Sequence, residues 1–162
     1  MHPLLDEAMK KAAVAWVAVG GRPYGVWCLW VDDALYVVSG PGEQSAPGLA
    51  EASTALVSVR GGHGGRILTW PARVSRVEPG GEEWGKVIPQ LAGRRLNASG
   101  TAEETSARWA AECVVSRLAP AGEPTEVGPT LPDDPGLAPP PPTDAVRRVA
   151  KPFRLHRVRN TP

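Results

Sequence analysis

The residues best suited to hold a ligand lie in a short loop that reads Gly-Pro-Gly-Glu-Gln-Ser at positions 40–45. This loop follows an apolar run that ends at Ser39. A loop leaving a buried strand exposes backbone N–H groups that can bind an anion, above all where the N-terminus of a helix follows. Residues 48–53 provide a short helix. The pattern predicts an anion site in the loop, with a plain connecting loop as the alternative.

No catalytic motif accompanies this loop. The sequence contains no G-x-S-x-G elbow, no H-E-x-x-H, no Ser/His/Asp arrangement and no paired carboxylates in an apolar setting. His63 sits in Gly-Gly-His-Gly-Gly, which lacks the lysine of a phosphate-binding loop, and it is expected to face solvent. Catalytic residues therefore stay unassigned, and no metal site is predicted. Any redox chemistry would come from a cofactor.

The loop must be positioned by the apolar stretch before it, residues 24–39. Its two runs are rich in Val, Trp, Tyr and Leu and are joined by Asp32-Asp33, which predicts a β-hairpin. Neither run alternates between apolar and polar residues, so both faces are expected to be buried. One face would line a barrel interior, and the other would meet a second sheet, a helix, a partner subunit or a flat aromatic ligand. The first face carries Tyr24, Val26, Cys28 and Trp30, and the second carries Trp27, Leu29 and Val31.

The remaining segments predict strands flanked by helices. Pro71 interrupts a strand and predicts an edge position or a bulge there. Gly85 and Pro89 predict a weak or kinked helix. Thr101 and Glu104 form the pattern of a capping box. The predicted helices span 2–13, 82–96 and 101–112, and the further strands span 14–19, 54–60, 66–77 and 113–118.

The composition predicts one domain and a tail. The chain has 162 residues, a mass of 17.1 kDa, a net charge of +1 and 18 prolines, many of them in its last third. We predict a domain over residues 1–120 and, over 121–162, a proline-rich spacer with a basic extension that docks as a strand or is disordered. The tail offers only Phe153 for stacking, which argues against a nucleic-acid partner.

Two cysteines, Cys28 and Cys113, are interpreted as buried reduced thiols, with a single bridge as the alternative. The apolar run near the N-terminus is too short for a signal peptide or a membrane span. These features predict a cytoplasmic protein with no membrane partner.

The order of elements resembles the pyridoxamine 5′-phosphate oxidase-like family of flavin-binding split β-barrels. The resemblance covers residues 4–120 and is carried by AWVAVGGRPYGVWCLWVDDALYVVSG and TALVSVRGGHGGRILTWPARVSRVEP. It implies a mainly β fold, a six-stranded split β-barrel with flanking helices. It also implies a homodimer with flavin mononucleotide (FMN) in clefts at the dimer interface, and a flavin-dependent oxidoreductase acting on a small-molecule substrate.

The same resemblance implies where the cofactor would lie. The family places a phosphate-binding lysine four residues before a leucine; Leu49 takes the leucine position, and Ser45 stands in place of the lysine. The phosphate would instead meet the loop backbone, the Gln44 amide, and an arginine such as Arg60, Arg66 or a tail residue, whereas Glu43 would repel it. The implied cofactor-binding residues, which include those that would meet the flavin ring, are Trp27, Leu29, Ser39, Gly40, Gln44, Ser45, Arg60 and Trp70.

Two alternatives to FMN remain open at this level. The deazaflavin F420 could take its place, because the lysine that would meet the FMN phosphate is absent. A protein that has lost the phosphate site could instead be a non-catalytic split-barrel dimer with a binding or structural role.

Overall fold

A computed structural model of the chain describes residues 2–61, 66–95 and 100–127. Within these ranges one antiparallel sheet is flanked by three helices, and a 3-10 turn spans Leu49–Glu51. The strands are β1 (Val14–Ala18), β2 (Pro23–Trp27), β3 (Leu29–Val31), β4 (Ala34–Ser39), β5 (Thr54–Arg60), β6 (Arg66–Arg76), β7 (Val114–Pro120) and β8 (Glu126–Val127). The helices are α1 (Pro3–Lys11), α2 (Glu82–Arg94) and α3 (Ala102–Glu112).

The sheet curls because its two edge strands are neighbours in sequence. The strand order is β2-β1-β5-β6-β7-β4-β3, with β8 paired to β6. Only Cys28 separates the end of β2 from the start of β3. The two edges must therefore approach each other, and the sheet forms a barrel that stays split between them.

The predicted first arm of the hairpin is not one continuous strand. The apolar run 24–31 is two strands, because β2 pairs with β1 whereas β3 pairs with β4. Together with the short β8, the break raises the strand count from the predicted six to eight. The tight turn between β3 and β4 is as predicted: Asp32 and Asp33 both have positive φ, 48° and 58°, as a two-residue type I′ turn requires.

The prediction of two buried faces is confirmed except at Tyr24, which is 40% exposed. Val26, Cys28 and Trp30 lie in a core inside the barrel, where Trp30 meets the edge of Trp70 at 6.0 Å between ring centroids. Leu29 lies in a second core, which helices α2 and α3 cover. All six residues of β4 are buried because that strand separates the two cores.

The helices cover the second core with apolar stripes. In α2 the buried residues recur at helical spacing, and Pro89 points outward, so the helix continues past it. In α3 the capping box is present: Thr101 Oγ1 accepts from the Glu104 N–H at 3.2 Å, and Glu104 Oε2 accepts from the Thr101 N–H at 2.7 Å. The buried stripe of α2 consists of Trp84, Val87, Ile88, Leu91 and Ala92.

Pro71 does not lie on an edge strand, contrary to the prediction. Strand β6 pairs with β5 on one side and with β7 and β8 on the other. On that second side, pairing to β8 ends at Thr69 and pairing to β7 starts at Ala72. Pro71 thus occupies the gap between two partners, where a missing N–H breaks no ladder. The irregularity in the register lies elsewhere, between Val59 and Arg60.

Both cysteines are free and buried, Cys28 in the barrel core and Cys113 in the helix-covered core. Within the described ranges, no helix has the length and apolar character needed to cross a membrane. The expectations for His63, the four consecutive prolines and the basic tail concern residues outside those ranges. Strand β8 shows that the predicted spacer begins with a short pairing to β6.

Candidate functional site

The side chain of Gln44 bridges the split in the barrel. Its Oε1 accepts from the backbone N–H of Trp27 at 2.7 Å, and its Nε2 donates to the Trp27 carbonyl at 2.8 Å and the Val38 carbonyl at 3.1 Å. The primary amide thus pairs with the end of β2 as a neighbouring strand would, and it ties that end to β4. This places the 40–45 loop at the split.

Glu43 anchors the same loop to the helices. Its side chain is only 1% exposed, and it accepts hydrogen bonds from Arg95 Nε at 2.9 and 2.8 Å, from Arg108 Nη2 and from Trp109 Nε1 at 2.8 Å. The two arginines also donate to the loop backbone, Arg95 to the Gly42 carbonyl at 3.1 Å and Arg108 to the Pro41 carbonyl at 2.9 Å. The loop is therefore fixed from both sides.

Gly40 permits this close packing. Its φ is 142°, and a Cβ at this position would lie 3.0 Å from Cys113 Cα and 3.1 Å from the Glu112 carbonyl oxygen. Any side chain would push the loop away from the end of α3.

The charge of the loop differs from the sequence-based expectation. Burial alone would raise the pKa of Glu43, but the hydrogen bonds from Arg95, Trp109 and Arg108 outweigh burial and hold the pKa below its usual value. Glu43 is therefore ionised at neutral pH and paired with two guanidinium groups, which leaves the cluster with one positive charge. The expectation that Glu43 repels a nearby anion is wrong because its charge is compensated.

A cavity of about 530 Å³ opens beside the loop. Its volume lies within the usual range for sites that hold small molecules. Apolar groups form most of the walls, and two consecutive arginines at the C-terminal end of α2 form part of the rim. The lining residues include Ala13, Val14, Trp27 and Cys28 on the walls and Arg94 and Arg95 on the rim.

Cys28 contributes an apolar wall to this cavity. Burial raises the pKa of its thiol to about 12, and the charge of Arg94 lowers it only partly. At physiological pH the group is a neutral thiol, which makes it a poor nucleophile.

Solved structures with this architecture can be compared directly. Over 76% of this chain and 92% of the other, the chain superposes on HutZ, the heme storage protein from Vibrio cholerae, with a TM-score of 0.54 and 19% identity. A candidate 5-nitroimidazole antibiotic resistance protein from Bacteroides thetaiotaomicron gives a TM-score of 0.50 at 15% identity, covering 74% of this chain and 79% of that one. A candidate pyridoxamine 5′-phosphate oxidase from Listeria innocua gives 0.49 at 14% identity, covering 73% and 94%.

The chain has the split-barrel fold of the pyridoxamine 5′-phosphate oxidase-like proteins. The match is structural: no family model and no curated protein matches the sequence.

The split barrel separates the predicted cofactor residues into groups. Trp27 and Gln44 line the large cavity, and the Trp27 ring lies 6.2 Å from that of Trp109. Leu29 and Trp70 are buried in the two cores, so neither lines that cavity. A shallower depression of about 330 Å³ is lined by Ser39, Gly40, Gln44 and Ser45, among others.

Arg60 lies elsewhere on the split barrel. Its guanidinium carbon sits 5.0 Å from the centroid of the Trp16 ring. A small pocket of about 240 Å³ there includes both residues. The sequence-based set therefore does not form one site.

The arginines that surround the loop were missed by the sequence-based reasoning. None of the three, Arg94, Arg95 and Arg108, was assigned a role in the site. Their proximity to Glu43 depends on how α2 and α3 pack over the sheet, and local patterns carry no signal for that packing. The available hint was an acidic residue in a loop that directly follows a buried strand, since a carboxylate that becomes buried requires cationic or hydrogen-bonding partners.

Proposed function

We propose that this split-barrel protein binds a flavin-type cofactor in the cavity beside Trp27 and is an oxidoreductase acting on a small molecule. The observation that carries the proposal is the apolar cavity of about 530 Å³ with an indole on its wall and guanidinium groups on its rim. An aromatic wall of this kind can stack on a planar ring. The fold is compatible with this assignment.

The residues present fit the ring of a flavin better than the phosphate of FMN. Ser45 replaces the expected lysine, and both amide hydrogens of Gln44 have backbone acceptors. The walls beside Trp27 would orient the ring and exclude water from one side. A bound flavin would supply the electron or hydride transfer, for which the described residues offer no side-chain alternative in this cavity.

We expect the purified protein to carry or take up FMN or F420. Titration followed by absorbance and by quenching of tryptophan fluorescence should show saturable binding. Trp27→Leu should weaken affinity about tenfold, because a stacked aromatic ring contributes on the order of 1–3 kcal/mol. Trp16→Leu is the matched control, since Trp16 lines the separate pocket that contains Arg60 and does not line the cavity beside Trp27, and the affinity of this variant should match the wild type.

The decisive outcome is uptake itself. A colourless protein that binds neither FMN nor F420 would overturn the proposal. Hemin is a useful further titrant because HutZ is a heme storage protein. Saturable uptake of hemin without uptake of either flavin would also count against a flavin-dependent oxidoreductase.

A non-catalytic split-barrel protein is the second candidate. The observation that favours it is the loop itself, whose Glu43 and Gln44 side chains are bound within the fold instead of being offered to a ligand. This candidate predicts no cofactor uptake. In either case the free thiols of Cys28 and Cys113 suit a reducing compartment, and we propose the cytoplasm.

We further propose a homodimer formed through the outer face of the sheet at strands β1 and β5. Two large apolar residues that are exposed in the described ranges lie on neighbouring strands with their side chains on the same, outer face: Val14 on β1 (42%) and Leu56 on β5 (46%). Leu56 pairs with Ala18 in the ladder between β1 and β5, so the apolar surface continues across these strands. A contiguous apolar patch on a small protein is typical of an interface.

A single charged substitution on this face tests whether the protein dimerises through it. Leu56→Glu places a carboxylate at the centre of this face and should convert the protein from twice 17.1 kDa to 17.1 kDa in light scattering coupled to size exclusion. Ala111→Glu on the exposed side of α3 should leave the mass unchanged. A wild-type protein that elutes as a monomer at micromolar concentration would contradict the proposal.

A further inference from the structure

We infer that the cavity beside Trp27 takes a planar aromatic ligand with one anionic group, and that Arg94 at the end of α2 binds this group. The inference extends the proposed function, because it names the ligand chemistry of the same cavity. It moves the anion site from the 40–45 loop, where the sequence placed it, to the C-terminal end of α2.

The first step concerns which positive charges are available. Arg95 and Arg108 are paired with Glu43 and with the loop backbone. Arg94 is exposed and, within the described ranges, makes no hydrogen bond or ion pair. It is therefore the guanidinium on the rim that can accept a new anionic partner, in the paired geometry that guanidinium offers to carboxylate, sulfonate or phosphate.

The second step concerns the position of the Arg94 guanidinium relative to the cavity. Arg94 and Cys28 line the same cavity. Burial raises the pKa of the Cys28 thiol, and the nearby positive charge of Arg94 lowers that pKa in part. The guanidinium is thus near the apolar interior as well as the solvent. The carbonyl groups at the C-terminus of α2 carry partial negative charge, but the full positive charge of Arg94 exceeds it.

The third step concerns what the rest of the cavity can hold. Ala13, Val14, Trp27 and Cys28 present apolar surface, which suits a flat aromatic body. The carboxylate of Glu43 is already neutralised by its two arginines. One anionic group of the ligand therefore has Arg94 as its partner. A second anionic group would lie against the apolar walls, where the loss of its hydration is unfavourable.

The loop side offers less to an anion. The Nε2 donors of Gln44 have acceptors in the Trp27 and Val38 carbonyls. Ser45 lines the separate, shallower depression and does not line the cavity beside Trp27. The anion therefore has its best partner at Arg94.

Two fluorescent probes that differ mainly in one charge test the inference. 8-Anilinonaphthalene-1-sulfonate carries an anilino group and one sulfonate on a planar naphthalene ring, and N-phenyl-1-naphthylamine has the same aromatic groups without the sulfonate. Arg94→Gln should weaken binding of the sulfonate about five- to tenfold at low salt and change binding of the neutral probe less than about twofold. Arg76→Gln, which removes an exposed arginine at the end of β6, should change neither.

A second variant locates the probes. Ala13→Phe fills the mouth of the cavity from an exposed position and should abolish saturable binding of both probes at unchanged Tm. Sulfonate binding that survives Ala13→Phe, or that Arg94→Gln leaves unaltered, would overturn the inference. The flavin titration tests the proposed function separately. Binding of the sulfonate without uptake of a flavin would contradict only the proposed function. Flavin uptake with an affinity that Arg94→Gln does not change would contradict only this inference.

Discussion

Replacing Glu43 with alanine is expected to lower the free energy of unfolding by about 3 kcal/mol, near the lower end for breaking a buried ion pair. The Glu43 side chain is 1% exposed, and its removal leaves Arg95 and Arg108 facing each other without a counter-charge. Trp109 Nε1 also loses its acceptor. The lower end of the range applies because both arginines are partly exposed and water can solvate them in the variant.

Urea unfolding monitored by circular dichroism measures this loss. Glu78→Ala is the matched control, because Glu78 is exposed and no ion pair within the described ranges involves its side chain. The control should stay within about 0.5 kcal/mol of the wild type, as surface substitutions usually do. Equal stabilities for the two variants would show that the Glu43 cluster contributes nothing to the fold.

The Glu43→Ala variant also tests how the free energy of unfolding depends on pH. Because the pKa of Glu43 in the folded state lies below its ordinary value of 4.5, the stability that Glu43 contributes is fully present above pH 4.5. It is lost as the pH falls below that value and through the lowered folded-state pKa. The difference in unfolding free energy between wild type and Glu43→Ala should therefore be constant near neutrality and shrink under acidic conditions.

The local elements could be predicted because their signals are local. The capping box of Thr101 and Glu104, the turn at Asp32-Asp33 and the two apolar faces around Trp27 depend on residues that are near one another in sequence. The break at Cys28 could not be predicted in this way. It arises because β2 and β3 pair with different strands at opposite edges of the sheet, which is a long-range property.

The candidate site shows the same division. The sequence directed attention to the 40–45 loop, and that loop does border the cavity. The role of its polar residues was different from the one expected, since Glu43 and Gln44 bind parts of the protein itself. Their partners lie between 6 and 66 residues away in the chain, so spacing alone cannot reveal the pairing.

Gln44→Ala is expected to destabilise the protein by about 2 kcal/mol, because it removes three hydrogen bonds and leaves backbone groups at the barrel split without protein partners. Water can enter near the cavity and limits the loss. Hydrogen exchange should locate the effect, since the Trp27 N–H loses its acceptor and should exchange faster. Gln90→Ala is the control: Gln90 is exposed, bonds only the Lys86 carbonyl within its own helix, and should cost no more than about 0.5 kcal/mol.

Gln44→Glu separates the two halves of the bridge. A carboxylate can still accept from the Trp27 N–H, but it cannot donate to the Trp27 and Val38 carbonyls and would face their oxygens with a negative charge. The variant should be less stable than Gln44→Ala at neutral pH. Because the charged form is disfavoured in the fold, the folded-state pKa of the new carboxyl rises, and the variant should regain stability relative to wild type as the pH falls. A Gln44→Glu variant as stable as the wild type at pH 7 would show that the amide does not act as the missing rung between β2 and β4.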